Sequence, residues 1–127
     1  MQERQLYEYA VIRVMPRVER EEFLNVGVVL YCRSQKYLEA VYELDDQRIT
    51  AFCRTCNAAE IKTYLTAFKN ICKGLGDAGP ISLLPVAARF RWLTATRSTV
   101  VQTSKTHPGL CLDPAEMLQK LFKDLVG

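Results

Sequence analysis

The sequence predicts an α+β domain: an antiparallel sheet of about five strands in the order βββ-α-ββ-α, with the helices packed mainly on one face. Three observations carry this. Three β-branched and aromatic runs follow one another through short polar connections, which favours an antiparallel meander over a parallel crossover. Two later segments show apolar residues at helical spacing behind N-capping residues. The chain of 127 residues, 49% hydrophobic and 24% charged, has the length and composition of one ordinary globular domain.

The first strand is read over Tyr7–Met15, apolar on both alternating faces and stopped by Pro16. The charged connection Arg17-Val18-Glu19-Arg20-Glu21-Glu22 leads to a second strand, Val26–Cys32. The polar turn Arg33–Lys36 leads to a third, Tyr37–Leu44, whose Glu39 and Glu43 mark a wetter face. Asp45-Asp46 start a short helix reaching Cys53. Asn57 caps a longer one, with Glu60 three residues on and Ile61, Tyr64, Leu65, Phe68, Ile71 and Cys72 forming the buried stripe. Gly74 ends this helix, and the stretch to Pro85 is read as a loop. Arg89–Ala95 and Thr99–Thr103 are read as a second hairpin, and Thr103–Leu112 as a polar loop containing His107. Asp113, Pro114 and Glu116 open a final helix that buries Met117, Leu118, Leu121, Phe122, Leu125 and Val126 on one side of the sheet, the side that also receives the Asn57 helix.

The polar N-terminus Met1–Gln5 lacks the apolar stretch of a signal peptide, and the run Val26–Cys32 is too short to span a bilayer. No membrane role is expected. The five cysteines form no disulfide framework, so reduced thiols and a cytoplasmic location are expected. Cys53-Arg54-Thr55-Cys56 has the spacing of a redox or half-zinc motif, but the other cysteines and His107 do not complete a ligand set. Two ordinary structural thiols are the favoured reading. His107 with Cys111 lacks an orienting third group for nucleophilic catalysis. No cofactor or metal is called for, and the sequence leans away from an enzyme.

The polar cluster that stands out is basic. Between Ala78 and Leu112 there is no acidic residue, whereas Arg89, Arg91, Arg97, Lys105 and His107 all fall there. On a strand, Arg89 and Arg91 share one face and Phe90 and Trp92 the other. Arg97-Ser98-Thr99 occupy the hairpin tip and offer guanidinium, hydroxyl and backbone donors together, a set suited to phosphate or carboxylate. Arg13 and Arg17 join this set if the first strand lies alongside. The second candidate is the charged turn Glu19, Arg20, Glu21, with Asn25 and Gly27 directing the chain into the next strand.

The blocks Tyr7–Val14, Pro16–Leu30, Phe90–Leu93, Arg97–Gln102 and Leu112–Phe122 resemble the bacterial domain-of-unknown-function 3037 family over nearly the whole chain. Glu19, Arg20, Glu21, Asn25 and Gly27 match its first motif, and Arg97, Ser98 and Gln102 its second. The cysteine pair is not part of that pattern. The resemblance implies a small bacterial cytoplasmic protein. Its members are often encoded beside a HipA-like kinase, which implies an accessory or partner-binding role. Three functions are therefore expected, in this order. The first is a non-enzymatic module that binds a protein partner, such as a HipA-like kinase, through the basic hairpin and charged turn. The second is an enzyme acting on a phosphorylated or nucleotide substrate. The third is weak, electrostatic nucleic-acid binding. An open sheet edge also leaves room for a homodimer.

Overall fold

The computed structural model describes residues 3–16, 22–53, 56–74, 79–95 and 99–126. Its strands are β1 (Gln5–Val14), β2 (Leu24–Cys32), β3 (Tyr37–Tyr42), β4 (Val101–Thr103) and β5 (His107–Cys111). Its helices are α1 (Asp46–Phe52), α2 (Ala58–Lys73), α3 (Val86–Leu93) and α4 (Pro114–Leu125), with 3-10 turns at Arg33–Gln35 and Pro80–Leu83. The predicted class holds: an α+β fold with a five-stranded antiparallel sheet and helices packed against it.

The first three strands form the expected meander, β3-β2-β1. On the far side of β1, β4 pairs with its C-terminal end and β5 with its N-terminal end. Ser104 ties these two short strands to the same neighbour. Its N–H donates to Val11 O at 2.9 Å, and its Oγ accepts from Val11 N at 2.9 Å. Between the pairs Ile12–Thr103 and Tyr9–His107, two residues of β1 face three of the partner, so the extra residue is a bulge.

Both faces of the sheet are covered. Ala10, Ile12, Val14, Val29, Tyr31, Leu38 and Ala40 pack under Ile49 of α1, the Ile61–Leu65–Phe68–Ile71–Cys72 stripe of α2, and Phe90 and Leu93 of α3. Tyr7, Val28, Leu30 and Cys32 pack on the other face with Leu118, Met117, Leu121 and Phe122 of α4. The two long helices therefore do not share a side as expected. Strands apolar on both faces require cover on both, and α4 supplies the second layer. The expected helix starts are formed: Asn57 Oδ1 accepts from Ala59 N and Glu60 N, and Asp113 Oδ1 accepts from Ala115 N. Tyr64, however, is 45% exposed and donates to Glu60 Oε1 instead of entering the stripe.

Two local readings are corrected. Residues 89–95 are not a strand, because Val86, Phe90 and Leu93 recur at helical spacing after Pro85 and form the inner side of α3. Phe90 is fully buried, its ring stacked 5.1 Å from Tyr31. The segment read as a polar loop contains β5. Pro108 is tolerated there because β5 is an edge strand, and Gly109 leaves room for the Tyr7 ring lying across it.

Candidate functional site

The candidate site lies where β1 ends and β2 and β4 begin, on the sheet face that carries α4. A bulge builds it. Ile12 pairs with Gly27, but the next residue, Arg13, pairs with Asn25, so Val26 is the extra residue. Val26 turns into the core at 2% exposure, and its carbonyl accepts from Glu43 N at 2.8 Å. Simple alternation would place Asn25 beside Gly27 and Val29, on the face opposite Arg13. The register shift brings it across to Arg13's face. On the other flank of β1, Arg13 pairs with Gln102 of β4. Asn25 and Gln102, drawn from separate blocks of sequence, thus stand on either side of one arginine, at cross-strand neighbour distance.

Each member is held by its surroundings. The Arg13 guanidinium carbon lies 4.0 Å from the centre of the Phe23 ring, a cation–π contact. Asn25 Nδ2 donates to Leu125 O, a carbonyl at the C-terminus of α4, at 3.4 Å. Gln102 Nε2 donates to Thr99 O at 2.8 Å and fixes the entry into β4. Two atoms are left unanswered: Arg13 Nε and Asn25 Oδ1 are buried without a hydrogen-bond partner. The single ion pair among the described residues is elsewhere, so Arg13 has no carboxylate partner there. Met15 N donates to Val100 O at 2.6 Å, joining the end of β1 to the approach to β4.

The other predicted site residues are distributed differently. Glu19, Arg20, Glu21, Arg97 and Ser98 lie outside the described residues. Arg89 and Arg91 do not share a face, because residues two apart on a helix diverge. Arg89 Nη1 donates to Ile71 O and Cys72 O, both at 2.9 Å, and so closes the C-terminus of α2. Arg91 forms a two-pronged ion pair with Glu8 at 3.1 and 2.8 Å, at the rim of an open cleft of about 800 Å³ that also touches Leu6, Tyr31 and Arg33. The strand alternation of arginine and aromatic residues is therefore not formed.

No cysteine is in a disulfide. Burial, a hydrogen bond with Cys53 and the nearby charges of Cys53 and Glu60 push the Cys56 thiol up to about 11. Burial, with Glu39 adding to it and Arg89 and Lys69 opposing it, pushes Cys72 up to about 12. Thiols raised in this way are poor nucleophiles at neutral pH. Cys53 and Cys56 line a cavity of about 190 Å³ with Pro16, Asn57 and Val100. That is below the roughly 300 Å³ of ordinary ligand pockets. His107 and Cys111 sit at opposite ends of β5, roughly 13 Å apart at a strand's rise per residue, and His107 instead packs on Tyr9 at 5.3 Å. Among the described residues, no three His, Cys, Asp or Glu side chains gather as a metal site, and no helix is long and apolar enough to cross a membrane.

Phe23 was not singled out in the sequence. Its signal was an aromatic residue directly after a run of charges, where nothing in the pattern called for one. Val86-x3-Phe90-x2-Leu93 was the corresponding signal for α3.

Fold and site together define a small α+β protein with a polar cluster built across three strands. The chain belongs to the family described as "Protein of unknown function (DUF3037)", whose model matches residues 9–126. The matched segment contains Arg13, Phe23, Asn25 and Gln102 alike. No curated protein and no solved structure matches the chain.

Proposed function

We propose that this protein is a non-enzymatic interaction module that binds a protein partner through the Arg13–Asn25–Gln102 end of its sheet. The observation that carries this reading is the Arg13–Phe23 pair in the cluster. Arg13 has no carboxylate partner among the described residues, and the Phe23 ring on which it stacks is 41% exposed, an arginine and an aromatic residue of the kinds enriched at protein interfaces. The bulge that aligns Asn25 with Arg13 supports it, since bulges commonly re-aim a side chain beside a functional site. The HipA-like kinase encoded beside members of the family is the partner to test. The kinase is expected to co-purify with the wild-type chain on co-expression, and to be lost from the Arg13→Gln variant. A kinase that never associates with the wild-type chain overturns its place as partner.

A second reading, an enzyme acting on a phosphorylated or nucleotide substrate, draws on the Met15–Val100 hydrogen bond. That bond brings the chain before residues 17–21 and the chain after residues 96–98 to one end of the sheet. Turnover of a nucleotide by the purified protein, abolished by Arg97→Ala, would favour it. A chain inert toward nucleotides leaves the binding module.

A further inference from the structure

We propose that two copies of this chain pair along β5, edge to edge and antiparallel, about a two-fold axis between their Leu110 residues. The pairing joins two five-stranded sheets into one. It is independent of the partner-binding reading, because β5 lies along the N-terminal end of β1 and Arg13 sits at the other.

The outer strands of the sheet differ in how they meet solvent. On β3, Glu43 N donates to Val26 O, so the backbone groups of Tyr42, Ala40 and Leu38 turn to the open side. There Ala40 N already donates to Glu39 Oε1 at 3.3 Å, and a carboxylate on an edge discourages a further strand. The strand β5, His-Pro-Gly-Leu-Cys, has no acidic residue, lysine or arginine. Val11 N and O face the β5 side, where Ser104 binds both. By alternation Tyr9, Tyr7 and Gln5 bond to His107, Gly109 and Cys111, and Pro108 and Leu110 present their backbone groups outward. The missing N–H of Pro108 fits that placement. Leu110 N–H and C=O and Pro108 C=O have no backbone partner among the described residues.

A second β5 supplies the matching groups. With Leu110 opposite the second copy's Leu110, each N–H meets the other's C=O, and each Leu112 N–H falls opposite the other copy's Pro108 C=O. The donor that proline lacks leaves only Leu112 C=O without a partner, on a residue 51% exposed. Side chains match as well. Leu6 and Leu110 are cross-strand partners, 60% and 56% exposed, and the two-fold sets this pair against its own copy as one continuous leucine row. His107 and Asp113, equally spaced about Leu110 in the sequence, fall opposite each other's copies. An imidazole donor then faces a carboxylate that commits only Oδ1 to capping α4. A foreign strand answers the backbone groups alone, whereas the leucine row and the His107–Asp113 match are self-complementary, as a two-fold interface requires.

The test is sedimentation equilibrium of the full-length chain from about 10 μM to about 1 mM, the range in which a small interface associates. A reversible monomer–dimer equilibrium is expected. Leu110→Lys puts a charge at the centre of the seam and should weaken the dimer at least tenfold. Leu6→Lys should weaken it severalfold, which keeps the test open if Leu110→Lys fails to fold. Leu83→Lys, at a leucine 74% exposed outside the sheet, should leave the dimer unchanged. Hydrogen exchange reads the pairing directly: Leu110 N–H should be protected at the high concentration and exchange freely at the low one. A chain that stays monomeric throughout would overturn the proposal. So would a dimer indifferent to both Leu110→Lys and Leu6→Lys, or one in which Leu110 N–H exchanges freely. Growth beyond a dimer would overturn it too, because a two-fold pairing uses up the β5 edge of both copies.

Discussion

Replacing Arg89 and Arg91 separately by Met tests the central correction made by the structure. Methionine keeps an apolar stem of similar reach, so each variant removes mainly the guanidinium. Arg89 makes two charge-assisted hydrogen bonds to the carbonyls of Ile71 and Cys72, each worth about 1.5–3 kcal/mol. Its buried, unpartnered Nε works against it by about 1–3 kcal/mol, and the variant recovers that. Cys72 O loses this donor, whereas Ile71 O still accepts from Gly74 N. The net loss expected for Arg89→Met is about 2–3 kcal/mol, or roughly 8–12 °C in Tm for a domain of this size. Arg91 pairs with Glu8 at a side-chain exposure of 59%, and an exposed pair is worth about 0.2–1 kcal/mol. Arg91→Met should therefore move Tm by no more than about 4 °C. Urea denaturation followed by far-UV circular dichroism gives the two free-energy losses, and thermal melts give the two Tm shifts. Equal effects from the two substitutions would refute the argument, because they would place both arginines on one solvated surface, as a strand would.

Three further outcomes are expected. Gly27→Ala should destabilise by about 1–3 kcal/mol, measured by the same urea titration, since the new methyl would meet Val41 O at 2.5 Å and the Tyr42 backbone at 3.0 Å, neither of which can swing away. Ser104→Ala should cost about 1–3 kcal/mol and speed hydrogen exchange at Val11 N–H, whose acceptor is Ser104 Oγ; unchanged protection there would count against the Ser104 link between β4 and β5. The raised Cys72 thiol is neutral in the fold, so its contribution to stability is present below its ordinary value of 9.0 and is lost as pH rises toward about 12. The alkaline fall in Tm should be shallower in Cys72→Ala than in wild type, and parallel pH profiles would contradict the assignment.

The sequence by itself determined the elements whose signals are local. The β1–β2–β3 meander follows from β-branched runs and short polar turns, and Asn57 and Asp113 announce α2 and α4 because a capping side chain acts on backbone N–H groups two or three residues away. It also marked Asn25 and Gln102, and named Arg13 as a member if the first strand lay alongside. Tertiary structure decided that condition, and with it the site. Pairing of β4 with β1 sets Gln102 against Arg13, and a one-residue bulge moves Asn25 from the face under α2 to Arg13's face, the one that carries α4. Neither is legible along the chain, since register is fixed by which side chains the two faces must bury and not by any one residue's preference. The same cause explains α3. Arg89–Trp92 alternates like a strand over four residues, but Val86, Phe90 and Leu93 find a buried surface under Tyr31 and α2 only when that segment is helical.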